Sequence, residues 1–235
     1  MIDEAKEAAD LPEHGAFEVG LTIPNVRNDL IADTEFLRLI ASAEVNRRGW
    51  PFWFTGARNA APCVTQGSYQ AHIVRIGRNV AFPGIEFWTA SPRGEFYARR
   101  AFGEDIGLIA PGAEPLSIFA YEWHIADLAE SILAGLTLYR VLCGSGDKPP
   151  LSFSFRWSKM SGRRLYGNNP FVSVIMQDPC QDDVIAEHAE VQFETASPGI
   201  LQHTYQVMRC VLSNFGGWAV PYEHILGIVH TSLRI

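Results

Sequence analysis

One stretch, from Gly84 to Asp105, constrains the fold of this chain more than any other, because it has the pattern of a β-hairpin. Two segments of loosely alternating apolar and polar residues flank the tetrapeptide Ser91–Gly94. Proline at the second position of this tetrapeptide and glycine at the fourth suit a type I turn. In the strand after the turn, Tyr97 and Arg99 fall on the face opposite to Phe96. A hairpin alone is only marginally stable, so this one must pair into a larger sheet.

The other periodic segments extend this sheet and add helices to it. Alternation predicts strands at residues 17–22, 69–76, 151–157 and 184–194, and an apolar run predicts one at 171–176. Helical spacing of apolar residues predicts helices at 33–48, 124–143, 197–215 and 221–232. Loop composition occurs at 55–68 and 158–169, and residues 116–123 fit either a strand or the first turns of a helix. Clustered strands separated by single helices predict an α+β fold, a mostly antiparallel sheet with about three long helices.

Capping residues support the ends of two of these helices. Asp33 is a suitable N-cap for the first helix, and Gly49 follows two arginines in the expected last turn. Ser197 followed by Pro198 is a strong N-terminal signal for the third. We therefore expect the first helix to run from residue 33 to residue 48.

Composition bounds the domain organisation and the compartment. The chain has 235 residues, of which 47% are hydrophobic, so a sizeable core is expected. Residues 1–14 are interpreted as a lead-in or linker, and residues 15–235 as a single α+β domain with a possible subdivision near 144–150. Four scattered cysteines without a C-x-x-C pair indicate reduced core thiols and a cytoplasmic protein, with no structural zinc site. The most apolar long segment, residues 128–143, is too short and too charged to cross a membrane.

No catalytic, cofactor-binding or metal-binding motif is present in the sequence. The chain has no G-x-S-x-G, P-loop, G-x-G-x-x-G or H-E-x-x-H pattern, so we expect no cofactor, no metal and no local catalytic residue. Catalytic groups can also assemble from distant positions. A hydrolase or transferase built on His124, Asp127, His188 and Glu190 therefore stays open as an alternative.

Two basic clusters with neighbouring aromatic residues are the candidate binding sites. The first consists of Arg93, Arg99 and Arg100 with Trp88 and Tyr97, and the second of Arg156, Lys159, Arg163 and Arg164 with Tyr166. Arginine beside aromatic rings suits stacking and bidentate contacts to phosphate or carboxylate. Pairing with local acidic residues is the plainer explanation of both clusters. A further aromatic run, Trp50–Phe54, fits either a plug over the core or a stacking surface.

The hairpin and its surroundings resemble a known protein family. The motifs are Gly49–Pro51 after a helix, G-I-E-F-W at residues 84–88, and G-E-F-Y-x-R-R-x-F-x-E-D at residues 94–105, followed by a long helix. This order is similar to the region that follows the AlbA-type domain in bacterial Schlafen-AlbA_2 proteins, over roughly residues 15–145. No counterpart of the AlbA-type domain itself is present. The resemblance implies an accessory part that acts in sensing, assembly or partner recruitment in a regulatory or defence system.

These observations predict a non-catalytic recognition or sensor module that binds a protein partner or oligomerises. Its expected working surface is the hairpin face with Trp88, Arg93, Tyr97 and Arg99, joined by the second cluster. The alternative is a nucleic-acid binding module that uses both clusters. The net charge of −7 argues against a general polyanion binder, although it leaves room for a local basic groove.

Overall fold

A seven-stranded sheet dominates the structure, a computed structural model that describes residues 13–48, 50–57, 60–75, 84–110, 112–143, 148–167, 178–195 and 197–234. The strands in these ranges are β1 (Ala16–Thr22), β2 (Cys63–Thr65), β3 (Ser68–Arg75), β4 (Gly84–Ala90), β5 (Glu95–Ala101), β6 (Ile118–Ala120), β7 (Leu151–Ser158), β8 (Arg164–Tyr166) and β9 (Val184–Val191). The helices are α1 (Thr34–Ser42), α2 (Tyr121–Leu142), α3 (Ser197–Ser213) and α4 (Tyr222–Leu233). The predicted α+β class is confirmed.

Every strand pairing in the large sheet is antiparallel, as the sequence predicted. The strand order is β2-β3-β4-β5-β1-β7-β9. The central strand β1 pairs with β5 on one side and with β7 on the other. Strands that precede and follow residues 144–150 in the sequence therefore belong to the same sheet. Strands β6 and β8 form a separate parallel pair.

The predicted hairpin is β4 and β5. Ser91 N donates to the carbonyl of Glu95 at 2.8 Å, and Gly94 N donates to the carbonyl of Ser91 at 3.0 Å. Gly94 has a φ of +88°, and a Cβ there would lie 2.2 Å from the carbonyl oxygen of Ile23, so only glycine fits the turn.

The helices pack on one face of the sheet, which we call the inner face. Alternation along the strands places the large apolar side chains there, including Phe17, Leu21, Trp88, Phe96, Phe153, Phe155 and Trp157, all nearly inaccessible to solvent. Helix α2 lies against this face at Gly135, which touches Phe153, and α3 packs on β9. Helix α4 packs on α2 and α3. Helix α2 is therefore enclosed by other elements, which explains why it is apolar on most of its circumference.

The other face of the sheet, which we call the open face, carries mainly half-buried and exposed side chains in the described residues. Most of these side chains are polar or aromatic, and they include Glu18, Gln70, His72, Phe87, Thr89, Tyr97, Arg99, Ser154, Arg156 and His188. An antiparallel sheet with one covered and one wet face gives the alternation from which these strands were predicted.

Helix α1 begins as predicted but ends six residues early. Asp33 is the N-cap, and its Oδ1 accepts from Phe36 N at 3.0 Å. The helix stops at Ser42 because the following residues turn towards α2. Arg47 N donates to Glu130 Oε1 of α2 at 3.3 Å. The side chain of Arg48 also binds carboxylates of α2. These tertiary contacts outweigh the local helical pattern.

Other boundaries differ from the sequence expectation in smaller ways. Strand β2 lies within the predicted loop 55–68, and β8 within the predicted loop 158–169, since three-residue strands carry too little periodicity to be recognised. The ambiguous segment 116–123 divides into β6 and the first turn of α2. The strand expected at 171–176 lies outside the described residues.

The four cysteines are free thiols, but the expectation that they lie in the core applies only to Cys180. Cys63 and Cys210 are exposed, and Cys143 is half-buried. No helix in the described part of the chain has the length and apolar character needed to cross a bilayer.

Candidate functional site

A cavity of about 170 Å³ lies at one edge of the sheet, where β3 and β5 end and β4 begins. The first turns of α2 and the loop 103–109 also line it. Its wall is mainly apolar, formed by Trp50, Ile73, Ile85, Ile106, Leu108, Ile109 and Trp123. Five charged side chains also line the cavity: Arg48, Arg75, Glu86, Arg100 and Asp127. The volume is close to that of an engineered cavity of about 150 Å³ that holds one benzene molecule. The cavity therefore suits a ligand with a single ring.

Arg48 joins two carboxylates of α2 at the side of the cavity. Its Nη2 bonds Asp127 Oδ1, and its Nε and Nη2 donate to Glu130 Oε2 at 3.1 and 2.9 Å. Glu130 is completely buried, and the side chain of Arg48 is 15% exposed. Burial opposes the ionisation of Asp127, but the charges of Arg48 and Arg100 outweigh it and lower the pKa of Asp127. This pair of carboxylates is therefore already neutralised by protein groups.

Arg100 connects β5 to the loop beside the cavity that contains Trp50 and Pro51. Its Nε donates to Glu86 Oε2 at 3.0 Å, and its Nη2 donates to the carbonyls of Trp50 and Pro51 at 3.2 and 2.6 Å. Its guanidinium also lies 3.6 Å from the ring centroid of Phe52. Arg100 is thus held in one position by contacts on three sides.

Glu86 is the unusual group of the site. It is 3% exposed, and its Oε2 accepts from both Arg100 Nε and Trp50 Nε1, the latter at 2.8 Å. Its other oxygen, Oε1, is buried and has no hydrogen-bond partner among the described residues. Burial raises the pKa of Glu86 above its ordinary value, more than the charge of Arg100 and the bond from Trp50 lower it. A buried polar atom without a partner is rare in proteins, and it is a candidate contact for a ligand.

Arg75 and Trp50 lie side by side at the cavity. The guanidinium of Arg75 is 4.5 Å from the ring centroid of Trp50, and the indole N–H of Trp50 is the group that donates to Glu86. On the opposite side, Arg48 stands 5.5 Å from the ring of Trp123, which is 39% exposed. Aromatic rings with adjacent arginines therefore flank the cavity on two sides.

The sequence analysis named Arg100 in a candidate binding cluster and Trp50 in the aromatic run, but it did not single out Glu86. Trp50 belongs to the aromatic run, for which a plug and a stacking surface were both open, and Phe52 and Trp53 are indeed buried in the core. Glu86 and Arg100 break the apolar alternation of the inner face. A charged residue at an inward position was the available signal, because such groups are rarely buried without a specific partner.

The residues of the first predicted cluster are divided between the two faces of the sheet. Trp88 is opposite Ala98 in the register, so it lies on the inner face and is fully buried, as Arg100 nearly is. Tyr97 and Arg99 lie on the open face. Arg93 is exposed at the turn. The expected single hairpin surface therefore has to be corrected, because strand alternation puts Trp88 and Arg100 on the opposite side of the sheet from Tyr97 and Arg99.

The second cluster is divided as well. Arg156 is on the open face, where its Nη1 donates to Glu18 Oε1 at 3.0 Å. Arg164 is exposed on β8. Arg163 is fully buried, in contrast to the surface position expected for it. Its guanidinium bonds both oxygens of Asp105, the carbonyl of Lys159 at 2.6 Å and the carbonyl of Ile118 at 2.6 Å.

Three predicted residues do meet on the open face, around Glu18. Tyr97 Oη donates to Glu18 Oε2 at 2.8 Å, Arg156 binds Oε1, and Arg99 is the register partner of Glu18 on β5. Burial and the carboxylate of Glu18 raise the pKa of Tyr97. We call Glu18, Tyr97, Arg99 and Arg156 the Glu18 cluster.

The four residues considered for a hydrolase do not converge. His124 is buried and its Nε2 lies 3.0 Å from Glu104 Oε1, close to Asp127. His188 and Glu190 are exposed on the open face of β9, with the sheet between them and α2. Within the described ranges, no three His, Cys, Asp or Glu side chains lie together in a way that would hold a metal ion.

Comparisons of the chain with protein-family models, with curated proteins and with solved structures found no match in any of the three. The resemblance to the region after the AlbA-type domain therefore stays a prediction.

Proposed function

We propose that this chain is a non-catalytic recognition or sensor module that binds a small ligand in the cavity beside Glu86. The observation that supports the proposal most strongly is the unpartnered Oε1 of Glu86, buried in a site that is otherwise rich in hydrogen bonds. Leaving such an atom unpaired costs free energy, on the order of 1–3 kcal/mol. A ligand that pairs with it recovers this cost on binding.

The chemistry of the lining favours binding over catalysis. The side chains that line the cavity include no serine, cysteine, histidine or lysine that would serve as a nucleophile. Arg48, Asp127 and Arg100 are fixed by ion pairs and hydrogen bonds, so they form a rigid charged wall. A rigid, largely apolar cavity with few polar groups is the usual form of a ligand site. The resemblance to Schlafen-AlbA_2 proteins would place such a sensor in a regulatory or defence system.

The test is ligand-observed NMR with a set of single-ring fragments that includes neutral, cationic and anionic members. The variant Leu108→Trp fills the cavity from the loop 103–109, where Leu108 is only half-buried. The matched control is Ile31→Trp, at an apolar residue that is 66% exposed and does not line the cavity. We expect fragments that bind the native chain and the control but not Leu108→Trp. The proposal fails if no fragment binds, or if Leu108→Trp binds as well as the control does.

A second candidate function is the recognition of a protein surface, including that of a second copy, by the open face. It is supported by the Glu18 cluster, where tyrosine and arginine, the residue types enriched in interface hot spots, occur together. The double variant Tyr97→Ala, Arg99→Ala should abolish self-association in sedimentation velocity experiments, or capture of a protein partner, with nearly unchanged melting temperature. Association at full strength in this variant would contradict this candidate.

Nucleic-acid binding through both basic clusters remains the third candidate. Of the two clusters, Arg93, Arg99, Arg156, Lys159 and Arg164 are placed to contribute to it, whereas Arg100 and Arg163 are bound to buried acidic side chains. Its test is the salt dependence of fluorescence anisotropy with short DNA and RNA, since phosphate contacts release counterions and affinity then falls steeply with ionic strength. No binding at low salt would exclude it.

A further inference from the structure

The charges around the cavity indicate which class of ligand it takes. Three guanidinium groups, those of Arg48, Arg75 and Arg100, lie at the site. Two of them are paired with the carboxylates of α2 and with Glu86. Arg75 forms no ion pair with any carboxylate of the described residues, and its guanidinium rests on Trp50. Arg75 therefore offers the cavity a guanidinium group that no carboxylate of the described residues engages directly.

Arg75 and Glu86 are near each other without forming a pair. In the register of β3 and β4, Arg75 is opposite Gly84 and Ile73 is opposite Glu86, so Arg75 and Glu86 are diagonal neighbours on the inner face. Diagonal neighbours have Cα atoms roughly 7–8 Å apart, within reach of long side chains. Both residues line the cavity, and Trp50 contacts both of them. Arg75 and Glu86 therefore border the same part of the cavity.

The hydrogen bonds of Glu86 determine what Oε1 can offer. Both N–H donors point to Oε2, an arrangement that suits an ionised and a protonated carboxyl group alike, so Oε1 is the oxygen that carries the proton when Glu86 is protonated. In that form Oε1 is a donor for which the described residues offer no acceptor. The alternative, an ionised Glu86 that attracts a cationic ligand, would bring a fourth positive charge beside the three guanidinium groups.

We propose that the cavity binds a small organic carboxylate with an apolar ring, whose carboxylate accepts hydrogen bonds from Arg75 and from Oε1–H of Glu86. The ring lies against the apolar wall formed by Ile73, Ile109 and the tryptophans. This inference rests on the proposed ligand-binding function and adds the charge and the chemical class of the ligand.

The test compares benzoate, benzamide and benzylamine, which share one ring and differ in the charge of the substituent. Isothermal titration calorimetry on the native chain should show benzoate binding at least about tenfold more tightly than benzamide, since a hydrogen bond between two charged groups is stronger than one to a neutral amide. Benzylamine, as its ammonium form, should not bind measurably.

Three substitutions at cavity-lining residues and one control substitution locate the origin of the preference for benzoate. Arg75→Gln should remove the preference for benzoate over benzamide, and Arg75→Lys should retain part of it. Arg93→Gln is the matched control, because Arg93 is exposed at the hairpin turn and does not line the cavity. Glu86→Gln keeps a neutral side chain with a donor, so benzoate affinity should stay within about threefold of the native value.

Some results would overturn the inference alone, and one would also overturn the function on which it rests. Tighter binding of benzylamine than of benzoate, lost in Glu86→Gln, would show an anionic Glu86 and a cationic ligand. Equal affinity for benzoate and benzamide, or a preference that survives Arg75→Gln, would equally reject a carboxylate ligand while leaving a ligand-binding cavity. Failure of all ring fragments to bind would reject both.

Discussion

Arg100 on β5 stands directly opposite Glu86 on β4, and the pair is buried on the inner face with Arg100 Nε 3.0 Å from Glu86 Oε2. The same guanidinium holds the carbonyls of Trp50 and Pro51 and covers the ring of Phe52. One side chain therefore orients the candidate ligand-binding acid and fixes the loop that carries Trp50.

The variant Arg100→Ala should lower the free energy of unfolding by about 3 kcal/mol or more, because it leaves buried polar groups without their partner. Urea denaturation followed by tryptophan fluorescence measures the loss. Arg156→Ala is the matched control, since Arg156 pairs with Glu18 on the accessible face of the same sheet and should contribute less than about 1 kcal/mol. Equal losses in both variants would contradict the structural role of Arg100.

Replacing Arg163 with alanine should destabilise the fold far more than replacing its neighbour Arg164. Arg163 is fully buried and bonds Asp105, which also accepts from Gly15 N at 2.7 Å and Leu116 N at 2.8 Å. We expect Arg163→Ala to destabilise the fold by about 3–5 kcal/mol, as removal of one partner of a buried pair does. Arg164→Ala, at the exposed neighbouring position, should change stability by about 0.5 kcal/mol or less in the same chemical denaturation experiment.

Glycine-to-alanine substitutions in α2 and in α4 should change the free energy of unfolding in opposite directions. A Cβ on Gly135 of α2 would lie 2.5 Å from Phe153 Cζ and 3.1 Å from Leu21 Cδ2, so Gly135→Ala should destabilise by about 1–3 kcal/mol through overpacking. A Cβ on Gly227 of α4 would meet nothing within 4 Å, so Gly227→Ala should stabilise by up to about 1 kcal/mol through helix propensity. Thermal denaturation of the two variants compares them. A stabilised Gly135→Ala would show that α2 does not press on β7.

The buried pair of Glu104 and His124 should make the fold sensitive to acid. Glu104 Oε1 accepts from Ala120 N and lies 3.0 Å from His124 Nε2. Burial opposes the ionisation of Glu104, but the neighbouring imidazole and the hydrogen bonds outweigh it and lower its pKa. This contribution to stability is present above the unfolded-state value of about 4.3 and is lost as the pH falls through the lower folded-state pKa.

Urea denaturation at a series of pH values measures this dependence. We expect Glu104→Gln to be less stable than the native chain at neutral pH and to approach it below about pH 4. A difference between the two chains that is independent of pH would mean that the Glu104 carboxylate contributes nothing through its charge.

Glu86 should show the opposite pH dependence. Its pKa is raised by burial in spite of Arg100, and Asp127 adds to the increase. The stability that the neutral carboxyl provides is present below the unfolded-state value of about 4.3 and is lost as the pH rises through the folded-state pKa. The native chain should therefore lose stability relative to Glu86→Gln as the pH increases through this range. A relative gain would show that Arg100 keeps Glu86 ionised.

The hairpin shows how much of the fold follows from local sequence. The turn at Ser91–Gly94, the two strands and the faces of Tyr97, Arg99 and Arg100 were all predictable, because side-chain direction alternates with a period of two. The N-cap Asp33 and the start of α3 at Ser197 were predictable for a similar reason, since capping involves groups only a few residues apart.

The candidate site could be predicted only in part. Glu86 and Arg100 were visible as charges on an apolar face, which signals a buried partner without identifying it. That the partner of Arg48 lies on α2, about eighty positions along the chain, has no local signal. The same contact ended α1 at Ser42 instead of residue 48.

The sequence by itself determined the α+β class, the hairpin and the alternation of the strands, since these follow from spacings of two to four residues. Only the tertiary structure decided that Arg163 is buried against Asp105 while its neighbour Arg164 is exposed, and that Arg75, Trp50 and Glu86 border one cavity. The physical reason is that ion pairs and packing act between residues that are distant in the chain, and these contacts override the composition of any single segment.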